Sequence, residues 1–256
     1  MYKISSISAI APLKGNNACS GCGLIAWCRP AHLNPREGAQ IESVTEHRHT
    51  LKRDRVLFHS GDALASLYIV NSGSLKTTIA DNDGRVQVTG FSLPGDMVGI
   101  EAIGSGRHPC DVIAMEDSSC CGAGYADLSR LSQSMPALQI HLHRMMSREI
   151  TRNYGLMFLL GSMGAEERVA QFILNLSARY AARGYSASQF RLCMTRIDIG
   201  SYLGLRLETV SRVMTLLSNR NILEFAGRDI NVRSLGGLQQ IIGRFELRAA
   251  RAATRH

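Results

Sequence analysis

The chain has 256 residues, 45% of them hydrophobic and 20% charged, with a net charge of +8, an ordinary composition for one large or two modest packed domains that need no disulfides to hold a core. No stretch approaches the twenty or so consecutive apolar residues of a membrane span, which excludes a transmembrane role. The positive excess is carboxy-terminal: residues 163–256 carry 14 Arg, no Lys and 7 acids, against 15 basic and 14 acidic residues in 1–162, so one end of the chain suits a polyanion, although a solvated basic surface would carry the same charge.

Met1–Ala11 holds Lys3 and a short apolar run. Serines break the run, and it falls short of the sustained stretch of about 7 to 15 apolar residues that a secretory signal needs. A loose leader on a cytoplasmic protein is expected. Cys19, Cys22 and Cys28 then follow as Cys-x-x-Cys-x5-Cys in a glycine-rich loop. Three thiolates on a short loop can wrap a soft metal centre, and a fourth ligand must come from elsewhere, with Cys120 or Cys121 as the available supply. Zinc accepts the same four sulfurs, so spacing alone leaves zinc and an iron-sulfur centre both open. Disulfides fit less well, because nothing points to export and cytosolic thiols stay reduced. Cys110 and Cys193 read as structural thiols.

Between His49 and Tyr125, turn signals recur about every eleven residues, at Ser60-Gly61-Asp62, Asn71-Ser72-Gly73, Asp81-Asn82-Asp83-Gly84 and Pro94-Gly95-Asp96. Short strand-like runs lie between them at Leu67–Val70, Leu75–Ile79 and Val86–Phe91, a pattern of a small barrel or jelly roll. From Pro136 the period becomes helical and continues to Met163. Its stripe Met146, Ile150, Asn153, Met157 and Leu160 steps by four, three, four and three, as a coiled-coil seam does, with Asn153 as a polar register-fixing position. This predicts a dimer helix; packing of the same stripe on the barrel is the alternative.

A further amphipathic helix starts at Ala165-Glu166-Glu167-Arg168 and opens the basic region. The segment Asp198–Val213 then has helix-turn-helix spacing. Gly200 permits close helix approach and Gly204 permits a positive backbone angle. Val210, Val213, Met214 and Leu217 share the inward face, leaving Glu208, Ser211 and Arg212 outward near the start of the second helix. Arg can fork onto guanine, Glu can accept from cytosine N4, and Ser serves either base. The plain alternative for Glu208 and Arg212 is an i,i+4 surface ion pair. Ile230 and Val232 fit a wing strand.

These residues together resemble the FNR-type anaerobic regulators of the cyclic-AMP receptor protein superfamily. The resemblance rests on Cys19, Cys22, Cys28 and Cys121, on Gly90–Gly99, Ala102–Gly106 and Ala165–Arg168, and on Leu207-Glu208-Thr209-Val210-Ser211-Arg212. It implies an α+β chain made of a cyclic-nucleotide-binding-like β-roll (jelly roll), a long dimerisation helix and a winged helix-turn-helix. The corresponding segments are a cysteine-rich cluster-binding loop at 1–35, the roll at 36–134, the helix at 135–163 and the DNA-binding domain at 164–256. It also implies a [4Fe-4S] cluster on Cys19, Cys22, Cys28 and Cys121, with Cys120 as the competing fourth ligand, and base contacts from Glu208, Ser211 and Arg212. A homodimer would bind an inverted-repeat DNA site when oxygen is absent and release it when oxygen converts the cluster.

Three departures qualify this. Arg206 stands where relatives usually place a capping hydroxyl, so the cap is weaker or the guanidinium contacts phosphate. Asn153 stands where an acid would ease dissociation. The stretch Gly99–Met115 lacks an arginine suited to a cyclic phosphate, Arg107-His108-Pro109-Cys110 being a poor substitute, so no cyclic nucleotide is expected. RNA polymerase is an expected partner, with Asp81–Arg85 and the region of Arg183 as exposed candidates. No nucleophile with its base is visible, and His141 and His143 do not converge on one helix face, so an enzyme is not expected. A regulator of the same fold with structural zinc or a small-molecule effector is the competing reading.

Overall fold

The structure, a computed structural model, describes residues 34–45 and 48–243. The leader, the ligand candidates Cys19, Cys22 and Cys28, and the Leu247–His256 tail, expected to fray, lie outside the described residues.

The first described element is a helix that the sequence reading did not anticipate, α1 (Pro35–Ser43). Asn34 caps it: its Oδ1 accepts from Glu37 N at 2.9 Å while the Glu37 carboxylate accepts from Asn34 N at 2.9 Å, and Pro35 takes the first helical position. Eight strands follow: β1 (His49–Leu51), β2 (Val56–Phe58), β3 (Ser66–Ser72), β4 (Leu75–Ala80), β5 (Val86–Ser92), β6 (Met97–Val98), β7 (Asp111–Ala114) and β8 (Ser118–Gly124). The turn signals fall between strands as expected, and the glycines at all four adopt φ between +77° and +90°, a region closed to most L side chains. The strands form two antiparallel sheets, in the orders β1-β8-β3-β6 and β2-β7-β4-β5.

Alternation along the strands sorts side chains into two cores. Phe58, Val70, Leu75, Val98, Val112, Ala114 and Cys120 fill one cluster. Leu67 and Ala123, on the opposite face of β3 and β8, join a second cluster with Ile41 of α1, with Leu128 of α2 (Tyr125–Ser134), and with Leu138 of α3 (Pro136–Ser162). Pro136 starts α3 where its missing N–H costs nothing. Near the middle of the helix, Arg152 Nη2 lies 3.5 Å from Asp96 Oδ1 in the Pro94–Asp96 turn and its Nη1 lies 3.2 Å from Glu149.

The chain divides into two compact units between Arg152 and Asn153, inside α3. The last turns of that helix therefore group with the carboxy-terminal residues, a finer division than a helix standing as its own segment. The second unit continues with α4 (Ala165–Ala181), β9 (Gln189–Arg191), α5 (Arg196–Leu203), α6 (Leu207–Asn219), β10 (Leu223–Ala226), β11 (Asp229–Val232) and a helix over residues 235–243. Its three strands pair antiparallel in the order β10-β11-β9, so Ile230 and Val232 stand in a wing hairpin. Val169, Ile173 and Leu176 of α4 are buried with Val210, Met214 and Leu217 of α6 in this unit. Among the described residues no helix is long and apolar enough to cross a membrane.

Leu75 is fully buried in the roll core. Leu75→Ala is expected to lower the stability of the amino-terminal unit by about 3 kcal/mol, read as a shifted urea midpoint at unchanged slope.

Candidate DNA-reading face and cysteine site

The first helix of the reading element is fixed by a reciprocal cap. Thr195 Oγ1 accepts from Asp198 N at 3.1 Å, and Asp198 Oδ2 accepts from Thr195 N at 3.0 Å and from the Thr195 hydroxyl at 2.6 Å. Helix α5 ends at Gly204, whose φ of +62° is the left-handed stop the turn needs. A Cβ on Gly200 would lie 2.7 Å from the Leu205 carbonyl oxygen and 3.6 Å from Val210 Cγ2, so only glycine lets the chain after the turn pass this close. Both glycine assignments made from the sequence are thus accounted for.

On α6, Val210, Val213, Met214 and Leu217 are buried, whereas Glu208 and Arg212 are exposed and Ser211 is half-buried. Among the described residues no ion pair joins Glu208 to Arg212, so the plain surface-pair alternative is not realised and both groups keep their hydrogen-bonding capacity. Ser211 Oγ accepts from Arg196 Nη1 at 3.3 Å. Arg196, exposed at the first position of α5, was missed from the sequence; its place in the basic segment was the only signal, and nothing in the spacing tied it to Ser211. Arg206 occupies the N-cap of α6 with extended backbone (φ −70°, ψ 150°) and makes no side-chain cap bond, as the substitution of a hydroxyl residue suggested.

The arginines of this unit are not equally available. Arg233 pairs with Glu224 at 2.7 Å and Arg220 with Glu166 at 3.1 Å. Arg196 at the start of α5, Arg206 at the cap of α6 and Arg212 in the second turn of α6 are exposed and form no ion pair among the described residues.

On β8 adjacent cysteines diverge. Cys120 is opposite Val70 and sits in the roll core, where burial first and the neighbouring Cys121 second push its thiol up to about 12. Cys121, opposite Ile69, is half-buried on the other face, which Ala123 shares. The segment that follows α1 pairs along the edge of β8, Thr45 with Ala123 and His49 with Cys120, and Ile41 of α1 belongs to the cluster that Ala123 joins on the Cys121 face. Cys120 is enclosed in the apolar core, whereas Cys121 lies half-buried outside it and is the more accessible of the two thiols.

In the Arg107–Cys110 segment the polar groups are already engaged. Arg107 Nη1 donates to the Gly61 carbonyl at 2.7 Å, and buried His108 stacks on Phe58 at 3.7 Å with Nδ1 3.4 Å from Glu101 Oε1. The Cys110 thiol donates to the same carboxylate oxygen at 3.4 Å, and burial with the Glu101 charge raises its pKa.

The helical stripe is divided. Ile150 (53% exposed), Met157 (68%) and Asn153 face solvent, joined by Tyr154 (67%) and Phe158 (56%), which the sequence pattern did not single out. Met146 and Leu160 are half-buried. Met146 lines a small cavity of about 190 Å³ with Leu67, Met97, Leu128 and Leu142, and Leu160 Cδ2 lies 3.4 Å from where a Cβ on Gly204 would be.

A winged helix-turn-helix joined through a long helix to an antiparallel β-roll is the architecture of a DNA-binding transcription regulator. Comparison with known proteins bears on which kind. Residues 48–135 match the cyclic nucleotide-binding domain and residues 167–241 the Crp-like helix-turn-helix domain. The chain is 42% identical to the anaerobic regulatory protein of Pasteurella multocida, covering 88% of this chain and 82% of that one, and 41% identical to the fumarate and nitrate reduction regulatory protein of Escherichia coli K12, covering 88% and 90%. Among solved structures, FixK2 from Bradyrhizobium japonicum matches with a TM-score of 0.70 and 32% identity, over 76% of this chain and 96% of that one. The chain belongs to the FNR-type anaerobic transcription regulators of the Crp family.

Arg206→Ser is expected to act in opposite directions on two measurements. A restored cap should raise the thermal stability of the carboxy-terminal unit by about 1 kcal/mol. Loss of the guanidinium charge should weaken DNA binding equally across sequences and reduce the salt slope by about one.

Proposed function

We propose that this protein is a cytoplasmic, oxygen-responsive transcription regulator that binds an inverted-repeat DNA site as a homodimer when a [4Fe-4S] cluster is intact, and that oxygen inactivates it. Cys19, Cys22, Cys28 and Cys121 hold the cluster, which when bound supplies an oxygen-reactive inorganic centre. The observation that carries this reading is the divergence of Cys120 and Cys121 on β8, with Cys121 on the face where Ala123 joins the cluster of Ile41 from α1. Only five residues lie between Cys28 and Asn34, so the chain from one to the other spans at most roughly 20 Å, and α1 anchors its far end to the cluster of Ile41 and Ala123.

Ile150, Asn153 and Met157 form the centre of the pairing seam, with Met146 and Leu160 at its ends and Tyr154 and Phe158 widening it. Pairing sets two recognition helices about one DNA turn apart, roughly 34 Å. Glu208, Ser211 and Arg212 read base edges, and Arg206 contacts phosphate. The exposed Asp81–Arg85 turn, which Arg85 braces at 2.8 Å from Asp81 and 2.9 Å from Asp83, and the region of Arg183 offer surfaces to RNA polymerase. Cyclic nucleotide is not the effector: Arg107 is held by Gly61, and the Glu101 carboxylate beside His108 repels a phosphate.

Two sets of variants test this. Anaerobically purified parent should carry iron and sulfide in equal amounts and lose its visible absorption in air; Cys121→Ser should remove the iron, and Cys120→Ser should retain it. Stoichiometric zinc indifferent to air, or iron retained in Cys121→Ser, defeats the cluster assignment. Ile150→Glu, which places a charge in the seam, should convert the anaerobic dimer to a monomer by sedimentation, and an unchanged mass rules the seam out.

A further inference from the structure

Glutamates precede Arg168 at 166 and 167, yet among the described residues it forms no ion pair. Its guanidinium donates to three carbonyl oxygens instead: Nε to Met163 at 2.8 Å, Nη2 to Leu160 at 2.8 Å and Nη1 to Leu203 at 2.9 Å. Leu160 stands in the last turn of α3 and Met163 directly follows it, and Leu203 is the last residue of α5, one before the turn glycine Gly204. Helix carboxy-termini leave carbonyls without intrahelical donors and carry partial negative charge, so a cation between two such ends is favoured twice over. A flat guanidinium with five donors in fixed directions can hold three acceptors on separate segments at once, whereas an ammonium acts as a point charge. At Gly204 the fit is tight: an added Cβ would lie 3.3 Å from Arg168 Nη1 and 3.4 Å from Leu160 Cδ2.

We propose that Arg168 is a positioning residue for operator recognition, locking the end of the pairing helix to the turn of the reading element. All its partners lie in the carboxy-terminal unit, which begins at Asn153, so the lower part of the seam and the reading head form one piece. The inference rests on the reading that α3 pairs two chains. Under it, the seam of one dimer dictates the separation and rotation of both α6 helices, and Arg168 makes the protein selective for the spacing between half-sites.

The test uses the anaerobically prepared full-length protein and an operator that the parent selects from random-sequence duplexes. Shifting one half-site by one base pair moves it by about 3.4 Å and turns it by roughly 35°. The parent should lose affinity about tenfold for each base pair added to or removed from the spacer, a cost comparable to a mismatched base pair. Arg168→Lys and Arg168→Gln should remain dimers by sedimentation and bind a duplex with a single half-site within about twofold of the parent, while their spacer penalty falls to about twofold. A spacer penalty equal to the parent's overturns the proposal. So does a loss of half-site binding that matches the loss on the full operator, because Arg168 would then only be holding the domain together. A monomeric parent defeats the pairing reading and this inference with it, whereas a dimeric parent with unaltered variants defeats the inference alone.

Discussion

Successive side chains of a β-strand point to opposite faces of its sheet, and on β8 that rule separates two chemically identical neighbours. Cys120 becomes part of a dry core beside Val70 and Phe58, and its thiol is kept protonated by burial. Cys121, one residue on, faces the side where Ala123 meets Ile41 of α1. A slip of one residue in the pairing of β3 with β8 would exchange the two sulfurs and move the core alternation with them. The bulge near Val70 and Ser72 lies just past the Cys120 pair, so the register at Cys121 is held by the regular pairing from Ser66 to Ile69.

The carboxy-terminal unit meets a different constraint, the division of its arginines between structure and recognition. Arg168 is committed to helix-end carbonyls and Arg220 and Arg233 to acids, whereas Arg196, Arg206 and Arg212 lie exposed in the first two turns of the reading helices or at their cap. Net charge alone therefore overstates the surface offered to a phosphate backbone. Position on the recognition element, more than the number of basic residues, distinguishes the arginines available to DNA.

Much of this was legible in the sequence because single residues carried strong backbone demands. Four turn glycines marked the strands, Pro136 marked the start of the long helix, and Gly200 with Gly204 marked the helix-turn-helix. Less legible were relations between residues distant in sequence. The stripe from Met146 to Leu160 has one period, but that period cannot say which of its members pack within the chain, as Met146 does, and which stay exposed, as Ile150 and Met157 do. Tyr154 and Phe158 escaped notice because the chosen seam passes beside them. Helix α1 was overlooked because its signal is a nine-residue segment with a capping box and little apolar content. The contacts of Arg168 and Arg196 leave no local trace, since an arginine reaching a carbonyl or a hydroxyl reads like one reaching water. The thiol triad Cys19, Cys22 and Cys28 was the clearest chemical pattern in the chain, and it is the part whose geometry the described residues do not include.

The missing hydroxyl at the start of α6 has an energetic consequence. The first amide groups of that helix have no side-chain acceptor from Arg206, and four such donors at a helix start must be satisfied by something. An exposed helix start without such a cap is left to solvent, which weakens its first turn, here the one that carries Glu208. A nucleic-acid phosphate oxygen seated there supplies a fixed anionic acceptor at the positive end of the helix dipole. Under the proposed Arg206–phosphate contact, an operator would order the start of the element that reads it, and some of the free energy of association would go into that ordering.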